Sequence, residues 1–61
     1  MTEHLTKARD CAQFVTDDLQ RALHDSDPVA GIVLLKLIEQ AATLECGICT
    51  LLEALEEAKH G

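Results

Sequence analysis

His24-Asp25-Ser26-Asp27-Pro28-Val29-Ala30-Gly31 (HDSDPVAG) holds the only proline of the chain and decides how the rest is read. Asp27 followed by Pro28 is a helix start. The carboxylate caps free backbone N–H groups, and proline, which has no N–H, suits the first helical position. Ser26 is the alternative cap. The stretch therefore predicts a turn over residues 25–27, between a helix of about 2–24 and a second of about 28–59, with Gly61 past the end of the second. No segment alternates as a strand does, and no second turn signal follows. Gly31 and Gly47 fall inside the second helix, each costing it up to about 1 kcal/mol relative to alanine.

Both flanks of the turn carry a heptad. On one side Leu5, Ala8, Ala12, Val15, Leu19 and Ala22 alternate spacings of three and four. On the other, Ala30, Leu34, Leu37, Ala41, Leu44, Ile48, Leu51, Leu55 and Ala58 do the same, with no polar residue in either series. The first series is alanine-rich and the second leucine-rich, so small side chains can interdigitate with large ones. A three-residue turn makes the helices antiparallel neighbours. Leu23, Val33, Leu35, Ile38 and Leu52 flank these series and widen the apolar stripe beyond what one seam can cover. The expectation is an all-α chain, a single antiparallel two-helix hairpin over 1–61 that dimerises into a four-helix bundle. Its dimer core would be Leu5, Ala8, Ala12, Val15, Leu19, Leu34, Leu37, Ala41, Leu44, Ile48, Leu51 and Leu55.

Size points the same way. A chain of 61 residues buries only about 60% of its unfolded surface and needs a disulfide, a metal or a second chain to be stable. Hydrophobic residues make up 48% of it, which argues against disorder, and Phe14 is the sole aromatic. Eleven acids against five Lys and Arg give a net charge of -6. That disfavours phosphate backbones and anionic membrane surfaces, and is compatible with a basic protein partner. The opening residues are polar rather than basic and then apolar, and Lys36, Glu39, Gln40 and Glu45 interrupt the longest apolar run. An odd count of three cysteines does not suit a secreted disulfide framework. The chain reads as cytoplasmic.

Length, the hairpin pattern, the opening Met1-Thr2 and the Ala8, Ala12, Phe14 and Val15 of ARDCAQFV resemble the Rop (repressor of primer) proteins. The resemblance implies a small acidic hairpin that dimerises into an antiparallel four-helix bundle, and binding to a pair of RNA loops through the outer surface of the first helix. Phe14 matches the phenylalanine of that surface. Around it, where the family carries lysines and amides, this chain carries Glu3, Asp10, Asp17, Asp18 and Asp25. Five carboxylates repel phosphate, so RNA binding is not expected.

Cys46-Gly47-Ile48-Cys49 places two thiols three residues apart, on one helix face. Structural zinc needs four ligands; Glu53 is a third at best, and His60 lies too far along the helix. Catalytic cysteine pairs sit at a helix N-terminus, whereas this one is mid-helix. Cysteine as a small apolar residue accounts for both positions, and for Cys11, expected in the core beside Ala8 or Val15. Cys46 and Cys49 stay as the candidates for a metal- or thiol-dependent sensor. His4, His24 and His60 mark helix ends, where His24 and His60 suit the dipole.

No nucleophile–base set, phosphate loop or complete metal site is visible, and a hairpin offers little concavity. The expected function is therefore not enzymatic and needs no cofactor. It is a homodimeric module that binds and modulates another protein as an adaptor, antiactivator or inhibitor, with a Rop-like RNA regulator as the alternative. Phe14 points about 120° from the centre of its helix's apolar stripe. With Asp17, Asp18, Leu35 and Glu39 it forms the candidate partner surface, apolar at its centre and acidic at its rim.

Overall fold

The computed structural model describes residues 1–60, and for His60 the backbone alone; the side-chain role expected of His60 and the position of Gly61 lie outside the described residues. Helix α1 spans Thr2–His24 and α2 spans Pro28–His60. Residue 1 caps α1 without a side-chain bond, through its carbonyl, which accepts from the Leu5 N–H at 3.1 Å. Glu3 in the first turn and Arg21 and His24 in the last complement the dipole.

The turn is built almost wholly by short polar side chains. Asp27 caps α2, its Oδ1 accepting from the Ala30 N–H at 2.8 Å, while its carbonyl accepts from Gly31 at 2.9 Å. Ser26 turns back to α1 instead, its hydroxyl donating to the Leu23 carbonyl at 2.8 Å. The backbone N–H groups of Asp25 and Ser26 close α1 on Ala22 and Leu23, both at 3.2 Å. Every backbone φ among the described residues is negative, so the reversal needs no glycine.

Side by side, the helices make a rod of 50 × 15 × 13 Å with a radius of gyration of 14.5 Å. A compact chain of this length would have a radius near 10.5 Å. A rod one layer thick cannot enclose side chains. Among the described residues only Ala12 and Ala41, at 4% and 8% exposure, and Gly31 are buried, and no large side chain is fully buried. These two alanines mark the line along which the helices touch.

That contact line corrects the single heptad seam. Leu5, Ala12 and Leu19 of α1 and Leu34, Ala41, Ile48 and Leu55 of α2 are at least partly covered, as expected of both series. Their heptad companions Ala8, Val15, Ala22, Leu37, Leu44 and Leu51 are exposed. The places between the helices go instead to Leu23, Ile38 and Leu52, and also to the polar Arg9, Thr16 and Glu45, all half-buried. Each helix is rolled about 50° from the centre of its heptad series, taking 100° per residue, so one edge of its apolar stripe, not the centre, meets its neighbour. Polar groups are tolerated there because the layer is open to water on both sides. The Thr16 hydroxyl bonds the Ala12 carbonyl at 2.9 Å, and Glu45 accepts from Gln13 Nε2 on the other helix at 2.9 Å.

Candidate interaction surface

The two helices leave opposite sides of the hairpin chemically different. In each, the exposed apolar residue lies three positions after the central alanine (Val15 after Ala12, Leu44 after Ala41). The half-buried polar flank lies four positions after it (Thr16 and Glu45). Antiparallel helices are related by a two-fold axis perpendicular to the plane through both. Displacements of equal sense therefore emerge on the same side, and the Gln13–Glu45 bond joins the two flanks on one side as this requires. The other side is an apolar face: Ala8, Val15 and Ala22 from α1, and Leu37, Leu44 and Leu51 from α2, extended at its ends by Ala30 and Ala58. Val15, Leu44 and Leu51 expose 50%, 59% and 46% of their surface. No charged residue lies in either stripe. This is a large contiguous apolar patch for a chain of 61 residues.

Phe14 projects from the outer edge of α1, 71% exposed. Asp17 and Asp18 are exposed beside it, and Arg21 approaches Asp18 at 3.7 Å. Both members of that pair are strongly exposed, as Asp10 is in its contact with Arg9 at 3.4 Å; such pairs contribute little to stability. The remaining partner candidates lie elsewhere. Leu35 is exposed on the polar side of α2, and Glu39 on the outer edge of α2, facing away from α1. The structure thus brings Phe14, Asp17 and Asp18 together and separates Leu35 and Glu39 from them, because the outer edges of two paired helices face opposite ways. Glu3, Asp10 and Asp25 are exposed on α1 with them.

The cysteines are all unpaired. Cys46 is exposed on the outer edge of α2, in a shallow groove with Glu39, Ala42, Thr43, Gly47 and Thr50. Cys49 is half-buried at the rim of the contact layer. Cys11, expected in the core, is exposed: it lies just outside the α1 part of the apolar face, and the hairpin offers nothing to cover it. Among the described residues, no three His, Cys, Asp or Glu side chains converge as a metal site would need. An open groove lies at the free end between Met1, Thr2, Thr6 and Arg9 of α1 and Leu52, Leu55 and Lys59 of α2. Among the described residues no helix is long and apolar enough to cross a membrane. Compared with protein-family models, curated proteins and solved structures, the chain matches none.

The heptad reading identified the residues of this face, but placed them in one seam with the residues between the helices. Arg9, Thr16 and Glu45 had no signal as contact residues, since polar side chains at those positions look solvent-facing in any periodicity.

Proposed function

We propose that this chain is a small, acidic, cytoplasmic homodimer, two hairpins closing into a four-helix bundle, that works by binding another protein and modulating it as an adaptor, antiactivator or inhibitor. The observation that carries the proposal is the uncharged apolar face left open by the hairpin. A second copy covers it and supplies the layer that encloses a core. Once that face is used, the outer edges of the helices are what a bundle presents to partners. There Phe14 is a rigid, exposed aromatic with acids on its rim, the composition of an interface anchor. The net charge of -6 favours a partner with basic groups over a nucleic acid.

Sedimentation at low micromolar concentration, followed by pull-down from the native cell with wild type and Phe14→Ala, tests both halves. The expected result is a mass of twice 6.6 kDa and a protein partner retained by wild type and lost with Phe14→Ala. A folded monomer overturns the dimer. Tight binding of labelled RNA stem-loops near physiological salt, abolished by Phe14→Ala, overturns the protein partner in favour of RNA.

A further inference from the structure

We infer that the polar side of the hairpin is a groove for one helix of a partner protein, an amphipathic helix with lysine or arginine along both of its flanks. The inference rests on the reading of the chain as a protein-binding module and gives that partner its chemistry. A second copy on the apolar face leaves this side open.

Charge is divided unequally between the two sides. The Gln13–Glu45 bond marks the polar one, and residues three or four positions apart on a helix share a face. On α1, Asp10 and Asp17 stand three before and four after Gln13, and Glu3 seven before Asp10, all exposed. On α2, Ala42 and Cys49 stand three before and four after Glu45. Glu39, Glu53 and Glu56 lie one or two turns from these, all exposed. With Glu45, this side holds seven of the eleven acids, against Arg9 and Lys59, and so carries -5 of the net charge of -6.

The acids form two rims. Gly31 packs against Leu23, where a Cβ on the glycine would lie 3.5 Å from Leu23 Cδ1. Counting away from that contact, back along α1 and forward along α2, sets Asp17 within about 3 Å of the level of Glu39, and Glu3 within about 3 Å of that of Glu53, at a rise of about 1.5 Å per residue. Between the rims, apart from the half-buried Arg9 and Glu45, the floor is uncharged: Thr6, Gln13 and Gln20 from α1, Leu35, Ala42 and Cys49 from α2. Toward the turn it becomes apolar, with Ile32 and Leu35 exposed to 62% and 56% and nothing in the hairpin to cover them.

This layout selects a helix. The rims stand on the outer shoulders of helices whose axes lie about 8–10 Å apart, which admits a third helix about 10–12 Å across. Two helices offer no backbone edge to an extended segment, whose own N–H and C=O groups would stay unpaired; a helix brings its bonds with it. The α1 acids recur every seven residues, as the flanking cations of a heptad helix do. Among the described residues no three acids, cysteines or histidines converge as a metal needs, so the acids meet separate cations. Phe14, four after Asp10 and three before Asp17, borders the α1 rim, so the aromatic anchor and the groove belong to one interface.

The probe is a labelled synthetic peptide of about three heptads, leucine and alanine at its inner positions and lysine on both flanks. It is titrated by fluorescence anisotropy against the full chain at about 50 mM salt, beside a scrambled peptide of the same composition and one with glutamate flanks. The basic amphipathic peptide is expected to gain helicity and to bind at least about tenfold more tightly than either control. Glu39→Lys with Glu53→Lys, on the rim away from Phe14, should weaken it by about tenfold, the loss shrinking as salt rises. Asp25→Lys with Glu57→Lys makes the same change of net charge away from the groove and should stay within about threefold of wild type. Circular dichroism checks that each variant keeps its helices, and Glu39→Gln with Glu53→Gln should give a smaller loss in the same direction. Equal binding of the scrambled peptide, or equal losses in the two lysine pairs, means that acidity alone attracts the probe and overturns the groove; no binding overturns it too. The protein-binding reading fails or stands separately. A partner recovered from the native cell that is lost with Phe14→Ala but kept by Glu39→Lys with Glu53→Lys overturns the groove and spares that reading.

Discussion

Truncating Leu44 to alanine separates a hairpin that stands alone from one that is half of a bundle. Leu44 keeps 59% of its surface in water in the single hairpin. Full burial of a leucine is worth about 1.5–3 kcal/mol, so roughly 1–2 kcal/mol per chain is left for a second copy to realise. Inside a core the truncation also leaves a cavity, which brings the loss to about 2–5 kcal/mol per site. A two-fold dimer contains the site twice, giving at least about 4 kcal/mol per dimer, roughly a thousandfold weakening of association. Were the face meant for water, the same change would stay within about 0.5 kcal/mol. Sedimentation equilibrium gives the association constant directly, and urea midpoints at two protein concentrations give it independently, since the stability of an obligate dimer depends on concentration. A Leu44→Ala protein with the mass and midpoint of wild type, neither varying with concentration, would refute the reasoning.

Three further outcomes follow from particular contacts. Asp27→Ala removes the 2.8 Å cap on Ala30 and should cost about 1 kcal/mol in urea unfolding, with Asp27→Asn close to wild type; equal losses in both would mean that the cap is not the reason for Asp27. Ala12→Leu forces a large side chain into the contact layer between the helices, where Ala12 is 4% exposed, and should lower stability by about 1–3 kcal/mol; an unchanged melting midpoint would show that the helices are not held together there. Replacing Cys46 and Cys49 together by alanine should leave helicity intact and cost less than about 2 kcal/mol, with Cys49 responsible for most of any loss; stoichiometric zinc in the purified wild type would revive the metal reading.

The path of the chain was legible because its causes are local. Asp27 and Pro28 are adjacent, the cap reaches only to Ala30, and each heptad repeats within one helix. Side chains at neighbouring positions therefore carry the whole signal, and the two helices fall on either side of the turn as the pattern predicts. The candidate surface was legible only in its inventory. Phe14 stands out in any helical projection, and its exposure follows from its angle. That Leu35 and Glu39 belong to other sides of the hairpin does not, because their distance from Phe14 depends on how α2 is turned against α1. Cys11 shows the same limit: its angle on α1 is fixed by the heptad, but the element that covers that angle, or fails to, is not part of α1.

By itself, then, the sequence determined two helices, their turn, the apolar stripe on each and a charge balance that disfavours phosphate. The tertiary structure decided which edge of each stripe faces inward. Periodicity specifies angles about a helix's own axis and says nothing about the roll of that axis relative to a neighbour. The roll is settled by the burial of the small residues Ala12 and Ala41 between the helices and by the reach of Gln13 to Glu45. With the helices rolled that way, Leu23, Ile38 and Leu52 take the places between them. Val15, Leu37, Leu44 and Leu51 are left on an open face, since two helices side by side make one layer and a core needs two.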